Sequence, residues 1–295
     1  MADAKPRNAR RWALGTAGLA LAWLLGVWPP PLWWRDHWPR ATAMMRERGP
    51  APVWHPTRLK DISPVLQRMV IIGEDSRFRT HHGIDPSEIA DALGTDREGG
   101  RGFPRALVAA WRQRDRLRGA STITQQLAKN LYLSSSRNPL RKLKEALTAL
   151  RLELPLPKDR ILELYLDVAE WGPGIWGADA ASRAYFGVPA SRLSDEQAAE
   201  LVATLPHPRT SNPTFRPERT LERRNLILAR YHGVDVYIPP EEETDTIPVP
   251  SVVLPSVDSL RIDSLYPVDS AQDSLTTRRT DAQGKTADSV RDSLP

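Results

Sequence analysis

The sequence contains no cysteine. This absence excludes disulfide bonds, thiolate metal ligands and a cysteine nucleophile, and it leaves the redox compartment undetermined. Runs of alternating apolar and polar residues are also scarce, which argues against a β-rich domain. Between residues 62 and 231 the apolar residues instead follow helical spacing, broken by proline and glycine. With 40% hydrophobic residues the chain can bury a core, and the sequence predicts a mainly α protein.

Charge is absent between Arg11 and Arg35, where residues 12–34 read WALGTAGLALAWLLGVWPPPLWW. Basic residues precede this segment, and they are Lys5, Arg7, Arg10 and Arg11. The pattern predicts a transmembrane anchor over 12–34, with residues 1–11 in the cytoplasm and everything after Arg35 on the outer, periplasmic side of the cytoplasmic membrane. A cleaved signal peptide is the alternative, although no small-residue cleavage site follows the apolar run.

Charge is distributed unevenly along the chain. The formal net charge is +5, yet residues 239–295 contain 11 Asp or Glu against 5 Lys or Arg. The rest of the chain is therefore strongly basic, which suits nucleic acid, anionic lipid or a phosphorylated substrate. The predicted topology excludes nucleic acid as a partner and favours an anionic lipid precursor. The tail itself, rich in Pro, Ser, Thr and Asp, is predicted to be disordered.

An acidic pair, Glu74 and Asp75, follows an apolar run at residues 71–72. A carboxyl group in a partly apolar cleft has a raised pKa and can act as a general acid or base. The alternative is a helix-terminal acidic pair that has Arg77 and Arg79 as neighbours.

Two later segments offer groups that bind anions. Thr122 and Gln125 form a capping box, and Lys129 lies one turn further on the same helical face. Unpaired N–H groups at such a helix start favour a phosphate. A second helix is predicted to begin with Asn138 as N-cap and Pro139 in the first position.

The second of these helices has an apolar stripe with a charged face opposite. The stripe consists of Leu140, Leu143, Leu147, Leu150 and Leu154. Glu145 lies opposite it, so one interpretation is an exposed helix with ion pairs to Arg141 and Lys142. In the other interpretation, a cluster holds a diphosphate directly or through a divalent cation, Mg or Mn, bound by Glu145. That cluster consists of Lys129, Arg137, Lys144 and Glu145.

Two further segments read as scaffold. Residues 158–177 predict an amphipathic helix that runs into a glycine-rich turn. Ser194 and Gln197 form another capping box, which starts a helix that ends near residues 205–209.

Together, the five segments resemble the five signature motifs of the peptidoglycan glycosyltransferases, glycosyltransferase family 51. The first motif is met by Glu74, Asp75, Phe78, His81 and Gly83. The second is met by Gly119, Ser121, Thr122, Thr124, Gln125 and Gln126, and the third by Arg141, Lys142 and Glu145. The fourth and fifth lie at 160–166 and 198–208, and the resemblance covers roughly residues 59–232. One departure is Asp167, where the family usually has asparagine, and this adds an acidic group near the catalytic lobe.

The resemblance implies a mainly α fold with a lysozyme-like catalytic lobe and a smaller membrane-contacting jaw subdomain, preceded by one transmembrane helix. Residues 35–58 would be a linker, 59–238 the glycosyltransferase domain, 94–118 part of the jaw and 239–295 the tail. Since the chain has no room for a transpeptidase domain, it looks like the monofunctional biosynthetic transglycosylases of that family. Lipid II would be both donor and acceptor, and the growing glycan strand would be the product.

The resemblance also implies roles for single residues. Glu74 would be the catalytic base that deprotonates the acceptor hydroxyl in an inverting displacement. Glu145 would act with nearby cations to stabilise the departing undecaprenyl diphosphate, through a metal ion or by positioning those cations. The cations are Lys129, Arg137 and Lys144. The remaining substrate-binding positions are Asp75, Phe78, His81, Ser121, Thr122, Gln125, Gln126, Arg141 and Lys142.

Two rival functions remain open. A lytic transglycosylase or muramidase would share the fold and one catalytic glutamate, but cleavage of a neutral glycosidic bond needs no diphosphate site. A membrane-tethered scaffold would use the acidic tail to recruit other cell-wall synthesis proteins. The intact motifs argue against scaffolding as the sole role, although the tail could add those partners.

Overall fold

A computed structural model of the chain describes residues 5–49, 55–87, 121–136 and 138–239. The described residues all belong to one compact unit. The predicted jaw segment 94–118, the predicted anion-binding Arg137 and the tail from residue 240 onward lie outside the described residues.

The described ranges contain nine α-helices and one small β-hairpin, which confirms the mainly α prediction. The helices are α1 (Lys5–Leu25), α2 (Ala43–Arg48), α3 (Pro64–Glu74), α4 (Ile123–Tyr132), α5 (Pro139–Glu153), α6 (Lys158–Val168), α7 (Ala178–Phe186), α8 (Asp195–Thr204) and α9 (Pro217–Tyr231). Short 3₁₀ helices cover Pro31–Arg35, Leu59–Asp61 and Ala190–Arg192. Strands β1 (Glu170–Gly172) and β2 (Ile175–Trp176) pair antiparallel, with Glu170 opposite Trp176.

The N-terminal helix α1 covers only part of the predicted anchor. It ends at Leu25, shortly before Pro29, Pro30 and Pro31, which lack the N–H groups that a helix needs to continue. The transmembrane helix predicted over residues 12–34 is not confirmed, since no helix in the described ranges is both long enough and apolar enough to cross a membrane.

Much of the core lies among six helices. Helix α3 packs against α8 and α9, and α4 packs against α5 and α6. The predicted stripe of α4 faces this core, because Ile123, Leu127 and Leu131 are all buried. Tyr165 from α6 and Trp171 from β1 are among the largest fully buried side chains. The helix contacts bring α8 and α9, which are distant in sequence, against α3.

The three predicted helix starts are confirmed. Thr122 caps α4 and Ser194 caps α8, each in a complete capping box with the glutamine three residues later. Asn138 caps α5, where its side chain accepts the N–H of Leu140 at 2.9 Å and Pro139 occupies the first turn. These caps depend on nearby residues alone, which is why the sequence predicts them well.

The orientation of α5 differs from the interpretation of an exposed charged face. Glu145 is 2% exposed, whereas the leucine stripe faces outward, with Leu140 55% and Leu154 85% exposed. The ion pairs of Glu145 are present, but the exposure expected for them is wrong. Tertiary packing overrides the amphipathic pattern here, because the chain at Gly83 packs directly against the α5 backbone at Ala149.

Asp167 is buried in α6 and forms hydrogen bonds to the backbone of the segment that precedes Leu59. The N–H of Thr57 donates to both of its carboxylate oxygens, at 3.1 and 3.0 Å. Burial raises the pKa of Asp167 to about 8, despite the opposing Thr57 hydrogen bond. The expectation that this residue adds negative charge near the catalytic lobe is therefore corrected, since its carboxyl is mostly protonated at neutral pH.

The raised pKa of Asp167 predicts a pH-dependent stability. The folded state retains the proton between about pH 4 and 8, so stability is lost as pH rises through that window, by up to about 1.4 kcal/mol per pH unit. Asp167→Asn keeps an oxygen for the Thr57 N–H but cannot ionise. We expect the variant to exceed the wild type in free energy of unfolding at pH 8.5 and to lose that advantage at pH 5. Chemical denaturation followed by circular dichroism measures this, and an equal difference at both pH values would contradict the account.

Candidate active site

Glu74 is the last residue of α3, and its backbone is held by close packing on either side. The helix ends there because Asp75 adopts non-helical backbone angles, with φ −162° and ψ 76°. A Cβ added at Gly73 would lie 2.8 Å from Cγ1 of Val202 in α8 and 3.5 Å from Cδ1 of Ile227 in α9. Glycine at this position therefore lets three helices approach closely beside the glutamate.

Each carboxylate oxygen of Glu74 has a partner from another helix. Gln126 of α4 donates from Nε2 to Oε2 at 3.1 Å, and a terminal nitrogen of Arg223 in α9 lies 3.4 Å from Oε1. The hydroxyl of Tyr165 in α6 donates to Oε1 of Gln126 at 2.9 Å, which fixes the orientation of the amide. The glutamate is thus held from both sides by groups that do not belong to its own helix.

The environment of Glu74 is that of a proton acceptor. Its side chain is only 10% exposed. Burial raises the pKa of Glu74, the neighbouring Asp75 raises it further, and Arg223 and Gln126 oppose this change. Burial makes the charged form of this carboxylate less favourable, while its two partners still stabilise that charge. Such a carboxylate is suited to accept a proton during a reaction.

Asp75 has a different environment from its neighbour. It is buried, its oxygens lie 3.0 and 2.9 Å from Nε2 of His81, and it accepts the N–H of Ile123 at 2.9 Å. Since Nδ1 of His81 accepts the N–H of Gly83, the proton of this ring lies on Nε2. Asp75 therefore links α3 to the start of α4.

The acidic pair lies at a helix end, with Glu74 as the last residue of α3 and Asp75 as its C-cap. Arg77 binds Asp85 at 2.6 Å and Arg79 binds Asp159, so neither arginine neutralises the pair. Phe78 is fully buried, with the ring of His81 at 6.3 Å edge-on. Phe78 and His81 therefore pack against each other within the loop that follows the glutamate.

The start of α4 joins the glutamate loop to α5. The hydroxyl of Thr122 donates to the carbonyl of Gly83 at 2.8 Å, and its oxygen accepts the N–H of Gln125 at 3.1 Å. Ser121 accepts a hydrogen bond from Nζ of Lys142 in α5 at 2.6 Å. The first three motifs are therefore in direct contact, as their resemblance to one site implies.

Glu145 is a buried acid between two cations. One oxygen accepts from Arg141 at 2.6 Å and the other from Lys142. In the described part of the chain no group of three or more His, Asp or Glu could hold a metal ion. Because both oxygens of Glu145 are already paired with cations, the residues present do not fit the predicted divalent-cation site. This arrangement supports the alternative in which Glu145 positions cations.

Two lysines of the predicted diphosphate cluster lie on neighbouring helices, while Arg137 lies outside the described residues. Lys129 lies half-buried on α4. Lys144 of α5 points toward α1, where its ammonium lies 4.4 Å from the ring centre of Trp23. Burial lowers the pKa of Lys144, and the nearby Arg151 lowers it further. Arg141 and Lys142, rather than Lys144, are the cations that contact Glu145.

Arg223 is the site residue that sequence reasoning missed. It lies in a helix rich in charged residues, and no motif marks it. One signal was available, however. Thr220, Arg223 and Ile227 recur at helical spacing and are all buried, so the pattern placed an arginine on the core side of α9.

Close packing at Gly73 predicts a specific mutational effect. Gly73→Ala would press a methyl group against Val202, a side chain with little rotamer freedom, and lower the free energy of unfolding by about 1 to 2 kcal/mol. Val202→Ala alone should destabilise by leaving a cavity. We expect the double variant to lose less free energy of unfolding than the losses of the two single variants added together. Additive destabilisation in denaturant titrations would show that the two positions do not contact.

The comparisons with known proteins agree on one family. The family model described as Transglycosylase matches residues 45–232. The chain is 40% identical over 242 residues to the biosynthetic peptidoglycan transglycosylase of Thiobacillus denitrificans, covering 77% of this chain and 97% of the relative.

Two other relatives have the same name. The chain is 45% identical over 217 residues to the protein of Chromobacterium violaceum, covering 70% of this chain and 87% of the relative. It is 41% identical over 236 residues to that of Rhodospirillum centenum, covering 76% and 94%. With these matches spanning most of both chains, and with the motifs in mutual contact, this chain belongs to the transglycosylase family.

Proposed function

We propose that this chain polymerises the glycan strands of peptidoglycan from lipid II, by an inverting glycosyl transfer that releases undecaprenyl diphosphate. The observation that supports this most strongly is the buried Glu74 carboxylate, held by Gln126 and Arg223 at the end of α3. Membership of the transglycosylase family supplies the reaction class.

Glu74 acts as the general base. Its carboxylate takes the proton of the acceptor sugar hydroxyl while that oxygen attacks the anomeric carbon of the donor. The new glycosidic bond forms as the bond to the lipid diphosphate breaks, so one displacement inverts the configuration. The proton remains on Glu74, whose environment favours the protonated form through burial.

The cations of α5 stabilise the leaving group. Negative charge grows on the diphosphate as its bond to the sugar breaks, and positive groups already in place lower the barrier more than they tighten ground-state binding. Arg141 and Lys142 are fixed by Glu145, and Lys142 also contacts Ser121 at the start of α4. In this proposal Lys129, Lys144 and Arg137 add to the same positive field.

The reaction takes place at the outer face of the cytoplasmic membrane, where the lipid of the substrate is embedded. Exposed apolar side chains on α1, on α5 and just after each of these helices support a membrane-facing surface. They include Trp12, Leu14, Leu19, Trp28, Leu140, Leu143 and Leu154. Large exposed apolar groups of this kind mark contact with lipid or protein, and tryptophan favours the membrane interface.

Replacement of the base tests the proposal. Glu74→Gln keeps the size and hydrogen-bonding capacity of the side chain but cannot accept the proton, so polymerisation should fall by about 10²- to 10⁴-fold. Labelled lipid II incubated with the detergent-solubilised full chain, followed by gel separation of glycan products, measures this. Wild-type chain that makes no polymer but shortens preformed strands would favour the lytic alternative.

Glu145→Gln tests the role of the second acid. The variant leaves Arg141 and Lys142 without a negative partner, and we expect polymerisation to fall at least about tenfold through their displacement. Since the residues do not fit a metal site, the loss should be the same with added magnesium and with a chelator. A wild-type enzyme that loses activity on chelation to the level of Glu145→Gln would restore the metal alternative.

A further inference from the structure

A buried arginine from the C-terminal helix reaches the end of α3. The side chain of Arg223 is 5% exposed, and 149 residues separate it from Glu74. One terminal nitrogen donates to the carbonyl of Gly73 at 2.8 Å and lies 3.4 Å from Oε1 of Glu74. The other donates to the carbonyl of Pro239 at 2.9 Å. The guanidinium group therefore bridges two backbone carbonyls, and it contacts the carboxylate from a fixed position.

Burial of this cation needs a compensating negative charge. A buried guanidinium without a carboxylate partner is strongly unfavourable. Within the described ranges, Glu74 is the acid that lies at ion-pair distance from Arg223, while its Nε has no hydrogen-bond partner. The charged form of Arg223 is therefore more stable inside the protein while Glu74 is ionised.

We propose that Arg223 is a positioning residue for glycosyl transfer, which aims the carboxylate of Glu74 and keeps it charged so that it can accept the hydroxyl proton. This inference rests on the proposed role of Glu74 as the base. Arg223 does not touch the reacting atoms in this account. It acts through Glu74, in the same way as Tyr165 acts on the opposite oxygen through Gln126.

The groups around Glu74 make Arg223 the decisive charge. Asp75, the next residue, favours the protonated form of Glu74, as does burial. Gln126 from α4 is neutral, Tyr165 from α6 is neutral and donates to Gln126, and α8 contributes the apolar Val202 beside Gly73. Arg223 is therefore the positive group among the described side chains that contact this carboxylate.

The neighbouring Arg224 offers a matched control. It has the same charge and lies in the same helix, but it pairs with Glu200 at 3.6 Å and with Asn225 at 3.1 Å. Its side chain is 27% exposed. Arg224→Gln removes one positive charge from α9 without touching Glu74, so it separates a local effect from a change in net charge.

The test measures kcat and KM for lipid II polymerisation between pH 5 and 9. The full chain in detergent is compared as wild type, Arg223→Gln, Arg223→Lys and Arg224→Gln. We expect Arg223→Gln to lower kcat at pH 7 by about 10- to 100-fold and to move the acidic limb of the pH profile upward by about one unit, so that activity partly recovers at pH 9. KM should change by less than about threefold, since the contact is to the base and not to the substrate.

The conservative variant distinguishes charge from geometry. Lysine at position 223 keeps the charge but cannot hold both carbonyls, so Arg223→Lys should retain the acidic limb near its wild-type position with reduced kcat. Arg224→Gln should match the wild type. If Arg223→Gln does not fold, as shown by circular dichroism, Arg223→Lys decides the matter: wild-type kcat in that variant would overturn the proposal.

Other results also overturn the inference. An Arg223→Gln chain that is folded and loses activity equally at every pH, or one that matches the wild type, would show that Arg223 does not tune the base. Glu74→Gln, assayed in parallel, separates the two levels of the argument. If Glu74→Gln still polymerises lipid II, the assignment of the base fails; if it is inactive while Arg223→Gln has the wild-type pH profile, only the inference about Arg223 fails.

Discussion

The carboxylate of Glu74 lies where α3 meets α4 and α9, and its burial there constrains the surrounding structure. A charge withdrawn from water needs partners, and these come from helices distant in sequence, as Gln126 and Arg223. Close approach of the helices in turn requires a residue without a side chain at Gly73. These partners offset part of the desolvation penalty of the Glu74 carboxylate. The part that remains favours uptake of a proton by Glu74. The packing of the helices and the proposed chemistry of the site thus both follow from the burial of the Glu74 carboxylate.

Adjacent acids with different environments take different roles. Asp75 is fully engaged by His81 and by the N–H of Ile123, so it connects the end of one helix to the start of the next. Glu74 has a single side-chain donor on each oxygen and remains suited to exchange a proton. Glu145 follows the first pattern rather than the second, because both of its oxygens bind cations of its own helix. Environment, and not residue type, distinguishes the proposed base from the two acids that hold neighbouring groups in place.

Local features of the fold could be predicted from the sequence, and long-range features could not. The caps at Thr122, Asn138 and Ser194 depend on residues within three positions, so they were predicted correctly. The orientation of α5 was not, because the leucine pattern alone cannot tell which face the rest of the chain covers. Arg223 was missed since its role depends on a contact across 149 residues. The helix that carries Asp167 was predicted, but the charge state of this residue depends on burial, which the sequence did not reveal.

The central claim is that Glu74 is a buried carboxylate that remains available to accept a proton. A ¹³C NMR titration of the full chain labelled at the glutamate side-chain carboxyl carbon tests it most directly, with Glu74→Gln used to assign the signal. The account predicts that Glu74 titrates clearly above the ordinary glutamate range, and that Arg223→Gln moves its titration higher still. A Glu74 signal that titrates as an ordinary exposed glutamate, unchanged by the loss of Arg223, would contradict it.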